Sequence, residues 1–279
     1  MRKIVLVFIQ IFILIFTAGC EAYDYSELRR EATLVVYTPL DKSIYGPIIK
    51  EYEKRMNINV EVHEKTQEEL SIMAKEDKAF SCDFILGVTE GFLKDNEEDF
   101  QAVEYFSYYS MVIFYNTEVV SYKEAPVSFD SLIHGQWKDK IAFLDPKASA
   151  IYSEVITFGE SISKVKDYIG DIKVNIENKY LSSIDEISQE VALGDYYIGV
   201  VTQDKANELI MAEENIAYIS SAGSSCTIYD LAVIPKDTKS LQAAKRFMNF
   251  ILSEDVQEFM GNYLYCKPAD KSFGGDRNE

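Results

Sequence analysis

The strongest constraint on the fold is a regular alternation of short apolar runs with stretches of helical periodicity. Residues 34–37 and 84–88 are continuous apolar runs, as is typical of strands buried on both faces. Between them, residues 48–56 place apolar side chains at helical spacing. Strands that alternate with helices in this way pair in parallel through βαβ crossovers. The sequence therefore predicts an α/β protein.

The same alternation continues to the end of the chain. Further strands are predicted at residues 58–62, 111–115, 141–144, 197–201 and 230–234. Capping boxes at Thr66 with Glu69 and at Ser183 with Glu186 predict two helix starts. A strongly amphipathic helix is predicted over Leu241–Ile251, and a last helix starts with the acidic residues that a helix dipole favours. About 260 residues of this kind are enough for one large domain or two smaller ones.

The first twenty residues follow a different pattern. Arg2 and Lys3 precede an apolar run over residues 4–16, and small residues then lead to Cys20. This order is typical of a secretory signal peptide, and the run is shorter than the ~20 residues that span a bilayer. The segment resembles the lipobox of bacterial lipoproteins, in which Cys20 becomes the lipidated first residue; a plain transmembrane anchor is the alternative.

We therefore expect a signal peptide at residues 1–19 and a polar tether at residues 20–31. The remaining chain would work outside the cytoplasm, held to a membrane by its lipid, in a periplasm or at a cell surface.

Charge and histidine content exclude several function classes. The formal net charge is −18, and such an acidic surface repels nucleic acid and anionic lipid. The two histidines, His63 and His134, lie in no catalytic motif, and no serine elbow, phosphate-binding glycine loop or zinc spacing is present. The sequence therefore predicts a protein that is not an enzyme and carries no cofactor.

The cysteines after Cys20 are odd in number and lack metal-ligand spacing. Cys82 lies in an apolar strand, where it is expected to be a small buried side chain. Cys226 and Cys266 could form a disulfide if the fold brings them together, and the sequence leaves this open.

Several segments, taken in order, carry a resemblance to a known family. They are Leu34 to Thr38, Asp83 to Val88, Phe114 to Thr117, Gln136 to Ala142 with Asp145-Pro146, Leu193 to Asp195 before Ile198-Gly199, and Ala243 to Ser253 with Gln257. The chain resembles the extracytoplasmic solute-binding proteins of bacterial ABC importers, in the group that contains ferric-ion, thiamine and aminophosphonate binders.

The resemblance implies a type II periplasmic-binding-protein fold, a two-lobed α/β clamshell with two strands crossing at the hinge. Lobe 1 would comprise residues 32–110 and 229–279, with packing of the last helix on lobe 2 left open, and lobe 2 residues 111–228. The implied function is capture of a small solute for an ABC permease and its ATPase by a monomeric protein. The alternative is a surface lipoprotein on the same scaffold, a sensor or an adhesion protein, without a role in transport.

Ligands of open α/β sheets lie beyond the carboxyl ends of the strands, where helix N-termini offer free N–H groups. The polar residues that follow predicted strand ends are therefore candidates for solute binding, and a helix cap or a solvated loop is the alternative for each. Together with Tyr109 near the hinge, the candidates are Thr38, Asp41, Glu90, Ser149, Tyr152 and Asp204.

The solute itself stays open. The ferric-ion binders use a histidine and a glutamate as metal ligands. By resemblance, Asp41 occupies the position of that histidine and Glu90 the position of that glutamate, so these two would bind the metal if ferric iron is the solute. The tyrosine pair of that group is replaced by Asp204-Lys205, while Tyr196-Tyr197 comes too early.

No arginine lies in a predicted cleft loop, which disfavours phosphate and phosphonate ligands. Tyrosines with nearby acidic side chains would instead suit an organic cation such as a thiamine-like ring or a polyamine. The tyrosines considered are Tyr37, Tyr108, Tyr109, Tyr152 and Tyr229, and ordinary core and hinge packing is the alternative for them.

Overall fold

A computed structural model describes residues 33–76, 80–147, 149–165, 167–177, 179–219, 223, 225–263 and 267–268. The predicted signal peptide, the tether with its lipidation site at Cys20, and Cys266 with its candidate disulfide all lie outside the described residues. Cys82 and Cys226 are both buried.

The first part of the chain forms three strands, each followed by a helix. These are β1 (Thr33–Thr38), α1 (Lys42–Met56), β2 (Asn59–Glu64), α2 (Gln67–Lys75), β3 (Phe84–Val88) and α3 (Glu90–Asn96). Strand β1 pairs in parallel with both β2 and β3, as the alternation predicted. The carboxyl ends of the three strands therefore lie at one edge of this part of the sheet, together with the starts of the helices.

Two long strands then connect this part to the rest of the sheet. Strands β4 (Phe100–Asn116) and β8 (Ser225–Pro235) run antiparallel to each other along most of their length. One end of β8 pairs with β3, and the far end of β4 pairs with β6, so the sheet order is β2-β1-β3-β8-β4-β6-β5. The sequence predicted only the apolar parts of these strands. The rest was missed because polar residues such as Glu104 and Ser107 interrupt the apolar pattern.

The second part of the chain lies between these two strands in sequence. It contains β5 (Ile141–Ala142), α4 (Ala150–Ile162), α5 (Tyr168–Ile176), α6 (Ile184–Leu193), β6 (Ile198–Thr202), α7 (Gln203–Met211) and β7 (Ile216–Tyr218). The chain then ends in α8 (Leu241–Ile251), α9 (Glu254–Tyr263) and β9 (Lys267–Pro268). Strand β5 is shorter than predicted, and Leu144 forms only an isolated bridge with Leu181.

The buried apolar side chains of the described residues form three clusters, and the two ends of each long strand contribute to different clusters. One cluster draws only on buried residues between 111 and 228. The other two draw on residues up to 106 and from 231 onward. We call the two parts lobe 2 and lobe 1; the domain boundaries at 110/111 and 228/229 stay a prediction. In α9, Val256 and Met260 lie in a lobe 1 cluster, and packing of this helix on lobe 2 as well stays a prediction.

The capping box at the start of α2 is complete. The Thr66 hydroxyl accepts a hydrogen bond from the Glu69 N–H at 3.1 Å, and the Glu69 carboxylate accepts one from the Thr66 N–H at 2.7 Å. At α6 only the first half is present: Ser183 accepts from the Glu186 N–H, whereas the Glu186 carboxylate binds Ser182.

We expect Thr66→Ala to lower the free energy of unfolding by about 1 kcal/mol, because the Glu69 N–H at the start of α2 loses its acceptor, the Thr66 hydroxyl. Urea denaturation followed by circular dichroism measures this. The matched control is Thr157→Ala in the middle of α4, where alanine favours the helix and no loss is expected. An equal loss in both variants would contradict a specific effect of the cap.

In the part of the chain that the structure describes, no helix has both the length and the apolar character needed to cross a bilayer.

Candidate functional site

Three tyrosines from the two long strands form a continuous aromatic surface, which we call the tyrosine floor: Tyr105, Tyr108 and Tyr229. The ring centres of Tyr105 and Tyr229 are 5.0 Å apart with planes at 76°, and those of Tyr108 and Tyr229 are 5.9 Å apart. These are favourable edge-to-face and tilted geometries. All three rings are half-buried, so the floor keeps part of its surface accessible where the two lobes meet.

Charged groups lie at both ends of the tyrosine floor. The Glu90 carboxylate, at the start of α3, accepts a hydrogen bond from the Tyr105 hydroxyl at 2.7 Å. At the other end, the Lys267 ammonium lies 5.8 Å from the Tyr108 ring centre and 3.4 Å from the side-chain oxygen of Gln203. The floor can therefore contact a flat or aliphatic solute while opposite charges stand at its two ends.

A second contact joins the lobes directly, and we call it the cross-cleft bridge. Glu154, in lobe 2 helix α4, accepts two hydrogen bonds on its Oε1 atom from lobe 1: from the Thr89 hydroxyl at 2.7 Å and from the Gly91 N–H at 2.9 Å. Thr89 is in turn held by Gln67, whose amide donates to the Thr89 hydroxyl and accepts from the Thr89 N–H, both at 2.9 Å. The three helices α2, α3 and α4 thus meet in one hydrogen-bonded network.

Lys267 is the cation at the floor, and the thiol and the arginines of the described chain add no reactive or cationic group to these contacts. Burial raises the pKa of the Cys226 thiol to about 12, and the Glu154 charge adds to the effect, so this thiol stays neutral and unreactive. The arginines of the described chain are Arg55 and Arg246. Arg55 pairs with Glu51 and Asp255 in the last turn of α1, away from the strand-end edge where that helix starts, and Arg246 lies on α8 beside Tyr52.

Two predicted binding residues are core residues instead. Thr38 is fully buried, and its hydroxyl donates to the Leu86 carbonyl at 2.7 Å while accepting from the Leu40 N–H, so it ties β1 to β3. Tyr152 is also fully buried: its hydroxyl donates to the Val200 carbonyl and its ring packs edge-on against Phe143. Both side chains are engaged in the core, while Thr38 also borders a cavity beyond the end of β1, and a role in solute binding stays a prediction for both residues.

Tyr109 lies on the other side of its strand from the tyrosine floor. Successive side chains of a strand point to opposite faces, and Tyr109 packs against the lobe 2 cluster while Tyr108 joins the floor. The tyrosine considered at position 37 is buried as well, with its ring edge-on to His63.

Three further candidates lie at helix starts, where the sequence placed them. Asp41 caps α1 by accepting from the Ser43 N–H at 2.8 Å, and this hydrogen bonding lowers the pKa of its carboxyl. Ser149 caps α4, and Asp204 is the second residue of α7. Asp41 and Ser149 therefore have the capping role that was their alternative, and Asp204 is half-buried in the first turn of α7.

The two residues that would bind ferric iron, Asp41 and Glu90, have different surroundings. Asp41 lines a cavity of about 340 Å³ beyond the ends of β1 and β2, together with Glu64 and Glu69. Glu90 is not among the residues that line this cavity, and it contacts Tyr105 instead. Among the residues that the structure describes, no group of three or more histidine, cysteine or acidic side chains is arranged to hold a metal ion.

Sequence reasoning missed three residues of this region: Tyr105, Glu154 and Lys267. Glu154 could have been found from helix geometry, because it lies two positions beyond Tyr152 and so about 200° around the same helix. If Tyr152 faces the core, Glu154 faces away from it. Tyr105 lies in the part of β4 that has no continuous apolar run, and Lys267 follows the last helix without any motif.

Comparison with known proteins gives one family and many similar structures. A profile of the bacterial extracellular solute-binding proteins matches residues 34–263. No curated protein sequence is significantly similar to this chain.

Three solved structures illustrate the likeness. A protein described as mediating two-component signal transduction has a TM-score of 0.72 and 20% identity, with 86% of this chain and 87% of that chain covered. Iron-bound HitA from Pseudomonas aeruginosa has a TM-score of 0.71 and 16% identity, with 83% and 84% covered. A protein described as an ABC transporter from Clostridium perfringens has a TM-score of 0.66 and 17% identity, with 86% of each chain covered. The similarity confirms the two-lobed type II periplasmic-binding-protein fold.

Proposed function

Because the chain belongs to the family of bacterial extracellular solute-binding proteins, we propose that it is the substrate-binding component of an ABC importer. It captures a small solute between its lobes outside the cytoplasmic membrane and delivers it unchanged to a permease with its ATPase. We further propose that Cys20 is lipidated after removal of residues 1–19, so that a monomeric protein stays tethered to the membrane through residues 20–31.

The tyrosine floor with Glu90 at its end is the observation that supports a solute class. A cation placed over the Tyr105 and Tyr229 rings, beside the Glu90 carboxylate and at the end of the floor away from Lys267, gains both cation–π and charge attraction. Asp204, in the first turn of the lobe 2 helix α7, is the other acidic candidate for contact with the solute. We therefore propose a small organic cation, with a thiamine-like ring or a polyamine as the test molecules.

Ferric iron is the second candidate, because similar structures include the iron-bound HitA. Carboxylates and phenolates are suitable ligands for a hard trivalent ion. Two observations weigh against the usual ligand set: Asp204-Lys205 replaces the tyrosine pair, and Asp41 and Glu90 have different local partners. The organic cation is therefore the preferred solute.

A thermal-shift screen of the solute-free protein tests the solute class. Thiamine, spermidine, ferric citrate, an aminophosphonate and a sugar phosphate make up the panel. A solute at 100 times its dissociation constant adds about 2.7 kcal/mol of stability, which appears as a rise of a few degrees in Tm. We expect the rise with thiamine or spermidine. A rise with ferric citrate alone would contradict the organic cation and leave the importer proposal standing.

The floor itself is tested by Tyr229→Ala, for which we expect the affinity for the bound cation to fall about 5- to 30-fold, because the central ring of the floor is lost. Calorimetric titration measures it. The matched control is Tyr122→Ala, which removes a tyrosine that is 75% exposed. Equal affinities for both variants would show that the solute does not contact the floor.

Transport is tested separately from binding. The solute-loaded protein should stimulate the ATPase activity of its permease complex reconstituted in vesicles, and the solute should be recovered chemically unchanged. Binding without any stimulation would favour the alternative of a sensor or adhesion lipoprotein.

A further inference from the structure

We propose that Glu154 is a positioning residue that holds the two lobes closed when no solute is bound. The inference rests on the cross-cleft bridge and the two-lobed fold, and it does not depend on which solute the protein binds or on whether it serves an importer.

The bridge joins two separately packed cores. Glu154 is flanked on α4 by Tyr152, Val155 and Ile156, which all belong to the lobe 2 cluster. Its two donors lie between Val88 and Phe92, which belong to a lobe 1 cluster. A hydrogen bond between residues anchored in different cores resists their separation, because opening the cleft has to break it.

The bridge has the features of a strong contact. Glu154 accepts two hydrogen bonds on one carboxylate oxygen, and bonds to an ionised acceptor are stronger than neutral ones. Thr89 is 3% exposed, and its hydroxyl is buried and hydrogen-bonded. Opening the lobes would remove the acceptor of this hydroxyl, the Glu154 carboxylate. Gln67 fixes the orientation of Thr89 through two further hydrogen bonds, so the donor is held ready for the carboxylate.

Position 91 is adapted to this contact. A Cβ atom added to Gly91 would lie 2.4 Å from the Glu154 Oε1 atom, a distance at which the carboxylate must move away. Glycine therefore allows the carboxylate to approach the backbone of α3. Any other residue at position 91 would displace Glu154.

Closure without solute has a consequence for binding. A binding protein whose competent state is only partly populated loses apparent affinity in proportion to that fraction. The closed conformation is the one in which both lobes contact the solute. By stabilising it, Glu154 raises the fraction of molecules in the binding-competent conformation. The bridge thus sets the affinity without any need for Glu154 to contact the solute.

The test measures interlobe distances in the solute-free full chain, unfolded and refolded to remove any bound solute. Spin labels at the exposed positions Lys54 in lobe 1 and Tyr122 in lobe 2 report the distance by electron–electron double resonance. For Glu154→Ala we expect the ratio of closed to open molecules to fall about 10- to 100-fold, because two charge-assisted hydrogen bonds are lost. Gly91→Ala should act in the same direction, because the added Cβ atom displaces the Glu154 carboxylate although residue 154 itself is unchanged. The matched control, Glu160→Ala, removes an exposed carboxylate from the same helix and should leave the distances unchanged.

A conservative variant separates an effect on the position of the lobes from a general loss of protein stability. Glu154→Gln keeps an acceptor oxygen without the charge, so its closed fraction should lie between those of the wild type and Glu154→Ala. Gly91→Ala is expected to fold normally, since alanine is the better helix former. Distances in Glu154→Ala and Gly91→Ala that match the wild type would overturn the proposal. So would a wild-type protein that shows only the open distance.

Discussion

Replacing Tyr152 by alanine is expected to lower the free energy of unfolding by about 3–5 kcal/mol, because a large side chain is removed from a filled core. The ring is fully buried against Phe143 in lobe 2. Its hydroxyl donates to the Val200 carbonyl, which would lose this partner. The effect is therefore on folding, as expected of the core packing that was the alternative to solute binding for Tyr152.

Trp137 provides a probe for this measurement. It is the single tryptophan of the chain and lies 4% exposed in the same cluster as Tyr152. Urea denaturation followed by tryptophan fluorescence therefore reports on the core that the substitution damages. Tyr122→Ala is the control and should change stability by less than about 0.5 kcal/mol, since that ring is on the surface. An unchanged unfolding midpoint for Tyr152→Ala would contradict the core position.

Asp230→Asn is expected to make the protein more stable than the wild type above about pH 7. Asp230 lies in β8 opposite Ser107 of β4, in the middle of the antiparallel pairing of the two long strands, and it is 4% exposed. Burial raises the pKa of its carboxyl to about 7, and the hydrogen bond from the Ser107 hydroxyl at 2.8 Å only partly opposes this. The native hinge therefore favours the protonated acid.

The direction of the pH dependence follows from comparing the two states. In the unfolded chain an aspartate has a pKa of about 3.9. Below that pH the carboxyl is protonated in both states, and it does not affect stability. Between about pH 4 and pH 7 the native state holds a proton that the unfolded state has lost, so stability falls as pH rises. Above pH 7 the loss levels off at up to about 4 kcal/mol.

Urea unfolding of the wild type and of Asp230→Asn at pH 4.5, 6 and 8 measures this. The stability difference between the two should grow in favour of the asparagine variant as pH rises. Asp237→Asn, which changes an exposed aspartate just after β8, controls for the general effect of the negative net charge. A difference that does not change with pH would show that the Asp230 carboxyl is ionised throughout.

The sequence predicted local structure well wherever the signal was local. The parallel strands with their helices, the complete cap at Thr66 and the amphipathic helix α8 depend on residues within one or two turns of each other. The sequence also predicted that helices start in the loops after strand ends. Asp41 and Ser149 accordingly lie at the starts of α1 and α4. It failed where a strand has no continuous apolar run, as in the first half of β4.

The candidate site shows the same division more sharply. Position after a strand end predicts where a residue lies along the chain, but it does not predict the side to which its side chain points. Tyr152 and Glu154 share one helix, yet one lies in the lobe 2 core and the other reaches lobe 1. Likewise Tyr108 and Tyr109 are neighbours on one strand, and only Tyr108 joins the floor.

By itself, then, the sequence determined the α/β class, the family and the order of the elements, because apolar periodicity, helix caps and family segments are all encoded over short distances. Only the tertiary structure decided which polar groups meet. Thr89 and Glu154 are 65 positions apart, and Ser107 and Asp230 are 123 apart. Contacts over such distances depend on how the two lobes pack and on the register of the two long paired strands. No local pattern carries that information.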